Sequence, residues 1–165
     1  MLSDDKIKER SLEGYNVMLA SFLAGLNEMG MLNQASVNVA SRRSGKYLAQ
    51  FAKLKTELPE LGAETAQNAV MLIEHLNSIL PLGTDIAAEL DSGNAVLRVG
   101  NKGCRFCPKG VGEAELSGTL CPYPGLVLEF VNALLPQGQS VELVLTDRKP
   151  MGKDENGCII TLKPV

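Results

Sequence analysis

Four cysteines, Cys104, Cys107, Cys121 and Cys158, stand as C-x2-C, then thirteen residues, then C, then thirty-six residues, then C. A close pair with two distant partners is how a chain that folds back on itself collects tetrahedral thiolate ligands. The first pair lies in Gly103-Cys104-Arg105-Phe106-Cys107-Pro108-Lys109-Gly110, which has the form of a metal knuckle. Tight turns there aim backbone N–H groups at both sulfurs, and Gly110 permits unusual dihedral angles. Lys102, Arg105 and Lys109 would offset part of the charge of four thiolates. The plainer alternative is four buried or idle cysteines, common enough in reduced compartments. Randomly placed cysteines would not be expected at three turn or strand boundaries, so metal leads. Zinc in a structural role is expected, because a closed shell of four thiolates leaves no position for substrate. A [4Fe–4S] cluster suits the same ligands and is the alternative, although the compact ferredoxin spacing is absent.

Other residues invite chemistry less. His75 is the single histidine, beside Glu74, with no serine or cysteine partner assignable from sequence, so a surface or helix-packing role is expected. Glu113 and Glu115 could be paired acids, but a solvated loop explains them equally well. Tyr15, Tyr47 and Tyr123 could edge a cavity, with core packing the default. Met18, Met29, Met31 and Met71 would line an adaptable pocket, or fill a core short of aromatics. The glycine-rich turns at 100–103 and 110–112 form neither a phosphate loop nor a dinucleotide fingerprint.

The elements that must position the cysteines follow from periodicity. Tyr15, Met18, Leu19, Phe22, Leu23, Leu26 and Met29 recur at three- and four-residue steps, an amphipathic helix ended by Gly30. A second helix is expected from Asn33 to Leu54, with Val37, Tyr47, Leu48, Phe51 and Leu54 buried. Gly45 inside it costs about 1 kcal/mol, worth having only where close packing or a ligand needs the space. Leu58-Pro59 breaks the chain, and a third helix runs from Ala63 to Leu80 with Ala66, Val70, Ile73 and Leu76 inward. Strands are expected at Ile86–Leu90 and Ala95–Val99 around the hairpin loop Asp91-Ser92-Gly93-Asn94. A glycine-rich segment, Gly100 to Leu120, carries the C-x2-C pair. Cys121-Pro122 opens a helix with Leu126, Val127, Phe130, Val131 and Leu134 inward. Strands Ser140–Asp147 and Cys158–Leu162 close the pattern. The reading is one α+β domain over 1–165: a helical part, 1–82, then a β-β-α-β-β unit, 83–165, whose antiparallel sheet is packed by helices.

Composition narrows the function. Net charge is −3, so a general nucleic-acid or anionic-membrane surface is not indicated. No export signal and no run of eighteen apolar residues is visible, so a cytoplasmic protein without a membrane span is expected. There thiols stay reduced, which favours metal over disulfides.

Cys121-Pro122-Tyr123-Pro124-Gly125, a helix, a strand ending near Asp147, and Gly157-Cys158-Ile159-Ile160-Thr161 together resemble the 4-vinyl reductase domain. The stretch Val39 to Ala49 resembles the small-residue helix preceding the sheet in that family. The resemblance covers the chain from about residue 33 onward. It implies a fold similar to aromatic-sensing regulator domains and to small subunits of the TRAPP vesicle-tethering particles. It also implies a homodimer, an internal apolar cavity and a zinc site nearby. In the sensing members the ligands are a helix-start cysteine, an acidic residue and two more cysteines. Cys121 and Cys158 match two of these cysteines, Asp147 stands where the acidic ligand would be, and Pro150 replaces the remaining cysteine. Cys104 and Cys107 are expected to supply the missing thiolates, leaving Asp147 a bystander.

The function expected is binding or sensing of a small apolar or aromatic molecule beside a structural four-cysteine metal site. The signal would pass to a separate regulatory protein, since this chain shows no output domain. A tetrapyrrole vinyl-group reductase or iron–sulfur redox protein is the enzymatic alternative, weakened by the lack of a legible nicotinamide or flavin site. A scaffold subunit is the third.

Overall fold

The computed structural model describes residues 2–115 and 120–165; residues 116–119, within the expected glycine-rich segment, lie outside them. Helix α1, Asp4–Arg10, starts at Ser3, whose hydroxyl accepts from the Lys6 N–H, and stops where Ser11 turns left-handed at φ 47°. Helix α2 is Gly14–Glu28, and Gly30 follows it at φ +69°, a conformation suited to glycine. Helix α3, Gln34–Lys55, opens with a reciprocal cap between Asn33 and Ser36. Helix α4 is Thr65–Ile79.

The sheet begins with β1, Ile86–Asp91, and β2, Asn94–Gly100, joined by Ser92 and Gly93 at φ 50° and 79°. Two positive φ values in a two-residue loop match the right-handed twist of paired strands. Helix α5, Tyr123–Leu134, follows, then β3, Val141–Leu143, β4, Gly152–Lys153, and β5, Gly157–Pro164. All pairings are antiparallel: β1-β2-β5-β3, with β4 also against β5. Strand β5 is therefore central, with β2 on one side and β3 and β4 in succession on the other. An α+β fold with an antiparallel sheet is what the structure has.

Helix α5 is buried nearly all round, from Tyr123 through Leu128 and at Phe130, Val131 and Leu134. It lies between α3 on one side and α4 with the sheet on the other. Leu72, Ile73, Leu76, Leu97, Val99, Phe130, Ile160 and Leu162 are almost fully withdrawn from solvent. Gly45 permits the α3–α5 approach: a Cβ there would stand 2.2 Å from the Leu126 carbonyl oxygen. Close packing is the use of that glycine.

Four expectations are corrected. The large residues of α2 are not its buried ones: Met18 and Phe22 are more than 60% exposed, Leu23 and Leu26 are half-buried, and the buried positions are Asn16, Ala20 and Ala24. On α3, Tyr47, Phe51 and Leu54 are exposed while Val37, Ser41, Gly45, Ala49 and Ala52 are buried. Met18, Met29 and Met31 are exposed surface residues and fill no part of the core. The common cause is that small residues let backbones come close, so a small-residue stripe can be the buried one. The strand expected to reach Asp147 ends at Leu143. Asp147 and Arg148, at φ 51° and 62°, instead make a tight turn inside a Thr146–Lys149 bridge.

Candidate metal centre

Each cysteine is held by a different device. Cys104 pairs in an isolated antiparallel bridge with Gly83, and the next residue donates its N–H to the Leu82 carbonyl. Cys107 ends the knuckle, and the Gly110 N–H donates to its sulfur at 3.2 Å. Cys121 precedes α5, where the Gln34 side-chain amide grips its backbone from both sides. The Cys121 N–H donates to Gln34 Oε1 at 2.8 Å, and Gln34 Nε2 donates to the Cys121 carbonyl at 2.9 Å. Cys158 lies on β5, opposite Val99 of β2 and Lys153 of β4.

These three segments bring all four cysteines to the wall of one cavity of about 440 Å³. Val99, Leu120, Met151 and Ile160 supply apolar wall, Tyr123 stands beside Cys104, and Lys109, Lys149 and Lys153 bring positive charge. Tyr123 donates its hydroxyl to the Leu82 carbonyl, which ties α5 to the root of the loop. The four cysteines are free and half-buried. Among the described residues, no three His, Cys, Asp or Glu side chains are gathered closely enough to hold a metal ion as they stand. The sulfurs surround a space more than a point. The donor chemistry suits a soft metal or cluster; a single ion would have to draw the cysteines inward.

The electrostatics divide the set. Cys107 is lowered to about 6, first by a hydrogen bond from the Cys104 thiol, then by the Gly110 N–H and the Arg10 guanidinium, against the cost of burial. Cys104 is pushed well up by the same bond, by burial and by the neighbouring Cys121 and Cys107. Burial raises Cys121, with a smaller contribution from Cys158, and burial also raises Cys158, with repulsion from Cys107. The mutual influence of Cys104, Cys107, Cys121 and Cys158 reflects their nearness around one space.

Of the other candidates, His75 meets Thr56 Oγ1 at 3.0 Å and ties α4 to the end of α3, a packing role. Glu113 pairs with Lys6, and Glu115 is exposed. Asp147 sits at the cavity rim as a turn residue. Lys102 reaches out to Glu9, and Arg105 donates to the Arg10 carbonyl. Two residues that sequence reasoning missed are Arg10 and Gln34, which hold the loop and Cys121 from far along the chain. Neither carries a local signal; each is an ordinary polar residue until the fold places it.

The model of the MJ0207 family matches residues 30–164. Over 40 residues the chain is 35% identical to Uncharacterized protein MJ1342 of Methanocaldococcus jannaschii, covering 24% of this chain and 35% of that protein. The chain thus matches about a third of that relative's length. No solved structure matches. No helix among the described residues is long and apolar enough to cross a membrane. With the match running from the end of α2 to the last residues of β5, and so through every cysteine, the chain belongs to the MJ0207 family.

Proposed function

We propose that this chain is a thiolate metal-binding domain in which Cys104, Cys107, Cys121 and Cys158 hold zinc at one end of the cavity. A small apolar or aromatic molecule occupies the remainder, against Val99, Leu120, Met151 and Ile160. The observation that carries this reading is the convergence of four cysteines from three separate segments on one space of about 440 Å³. A zinc ion needs its sulfurs about 2.3 Å away, hence about 3.8 Å from one another. The C-x2-C loop would close on Cys121 and Cys158 until the sulfurs stand that far apart. When bound, the metal would clamp the loop to β5, and the ligand would bias that clamp. The resemblance to the 4-vinyl reductase domain supports the ligand half. The setting proposed is the cytoplasm, where the thiols stay reduced.

A second reading is favoured by the cysteines lining a space and not crowding one point. A [4Fe–4S] cluster takes its thiolates at four corners, so they stand further apart than around one ion. Elemental analysis of protein purified with and without oxygen separates the two, and native mass spectrometry finds any retained small molecule. Neither metal, no cluster colour and no ligand in either preparation would defeat the proposal.

The partner proposed for the exposed apolar faces of α2 and α3 is a second copy of the chain, with any regulatory protein engaging the dimer. Apolar side chains of this size collected on surface helices mark association sites more often than chance.

A further inference from the structure

Arg10, the last residue of α1, is only 8% exposed, although it is an arginine near the start of the chain. Its Nη1 donates to the Cys104 carbonyl at 2.5 Å and its Nη2 to the Asn101 carbonyl at 3.3 Å. The guanidinium lies against Gly110, where an added Cβ would stand 3.1 Å from Nη2. Its Nε is buried with no hydrogen-bond partner. Among the described residues no carboxylate forms an ion pair with it, while Lys6 and Lys102 on either side have Glu113 and Glu9. Carbonyl oxygens satisfy hydrogen bonds but carry no net charge, and a buried charge without a counter-charge costs several kcal/mol. The loop it grips carries Cys104 and Cys107, and its field acts on Cys107.

We propose that Arg10 is the buried counter-charge of the cysteine centre, and that α1 and α2 are the cover of its loop. This rests on the metal reading above. Four thiolates around a divalent ion leave a net charge of −2, and Arg10 neutralises half of it from behind the knuckle. The cover continues along the loop. Gly112 lies against the Ala20 backbone of α2, where a Cβ would be 2.3 Å from its carbonyl oxygen. Phe106, between the two knuckle cysteines, meets the Tyr15 ring at 6.1 Å between centroids.

The test measures Zn(II) affinity of the reduced full-length protein by competition with a chromophoric chelator. Wild type is compared with Arg10→Lys, Arg10→Gln and the surface control Arg98→Gln. The charge assignment expects Arg10→Gln to bind at least tenfold more weakly, Arg10→Lys to stay within about threefold of wild type, and the control to be unchanged. A role in holding carbonyls alone would cost the two Arg10 variants alike, and that result overturns the assignment. Should Arg10→Gln fail to fold, Arg10→Met in the same competition decides: Zn(II) binding at least tenfold weaker supports the charge assignment, and wild-type affinity overturns it. Wild type that takes up no Zn(II) overturns the metal reading and this one with it. Normal uptake with indifferent Arg10 variants overturns this one alone.

Discussion

At Cys107 two donors, the Cys104 thiol and the Gly110 N–H, converge on one sulfur and hold it ionised near neutrality. In metal-free, reduced protein, iodoacetamide should therefore modify Cys107 first, with a rate midpoint near pH 6, read by peptide mass spectrometry. The stability of that form follows with a definite sign. Cys107 is lowered to about 6 from an ordinary value of 9.0, so between those limits the unfolded chain holds a proton that the folded one has lost. Stability from this group is fully present above about pH 9 and is lost as pH falls through 6. Cys104, Cys121 and Cys158 are raised, so their contribution is present below pH 9 and is lost as pH climbs beyond it. Urea midpoints should rise from pH 6 toward 8 and fall above 9, and Cys107→Ser should flatten the acid side. A wild-type profile flat from pH 6 to 10 contradicts these assignments. In the metal-bound protein, single Cys→Ser changes at all four positions should each cost metal and thermal stability to a similar degree, and a Cys158→Ser variant keeping full occupancy would break the set.

At the scale of elements, two glycines make opposite predictions. Gly45→Ala drives a methyl into the Leu126 carbonyl and should separate α3 from α5, costing about 2–3 kcal/mol in urea unfolding. Gly25, in α2, has nothing within 4 Å of its added Cβ, so Gly25→Ala should stabilise by about 0.5–1 kcal/mol. The same contrast explains what the sequence made legible. The ranges of α3, α4 and α5, the β1–β2 hairpin and the place of Cys158 at the start of β5 follow from periodicity, caps and turn residues. What periodicity does not reveal is which face of a helix meets the core. On α2 and α3 the larger apolar residues drew the inference, while Ala20, Ala24, Ala49, Ala52 and Gly45 hold the contact. Strand β4 escaped notice because two residues carry no period. Helix α1 went unmarked because its left-handed stop falls on Ser11, not on glycine. The four cysteines were legible as a set; the Arg10 and Gln34 contacts to their loops span about ninety residues and leave no local trace.

At the scale of the molecule, the outward faces of α2 and α3 matter most. Phe22 is 62% exposed and Leu54 79%, each among further apolar side chains on its helix. If a second copy covers them, light scattering should give twice the 17.7 kDa chain mass, and Phe22→Glu with Leu54→Glu should yield a folded monomer. A wild-type monomer at tens of micromolar would remove the dimer from the proposal while leaving the cysteine centre untouched.

Strand β5, flanked on both sides, also follows every other strand in sequence. On the ribosome, Cys104, Cys107 and Cys121 therefore emerge before the strand that completes their cavity exists. At ordinary elongation rates the wait between Cys107 and Cys158 is roughly 3–10 s. During it three nucleophilic sulfurs stand exposed beside an open-edged hairpin. Nascent chains halted before Gly157 should be digested readily and capture maleimide at all three, whereas chains released after β5 should resist both. Closure of the cavity is thus a late, single event in the life of the polypeptide, gated by translation itself.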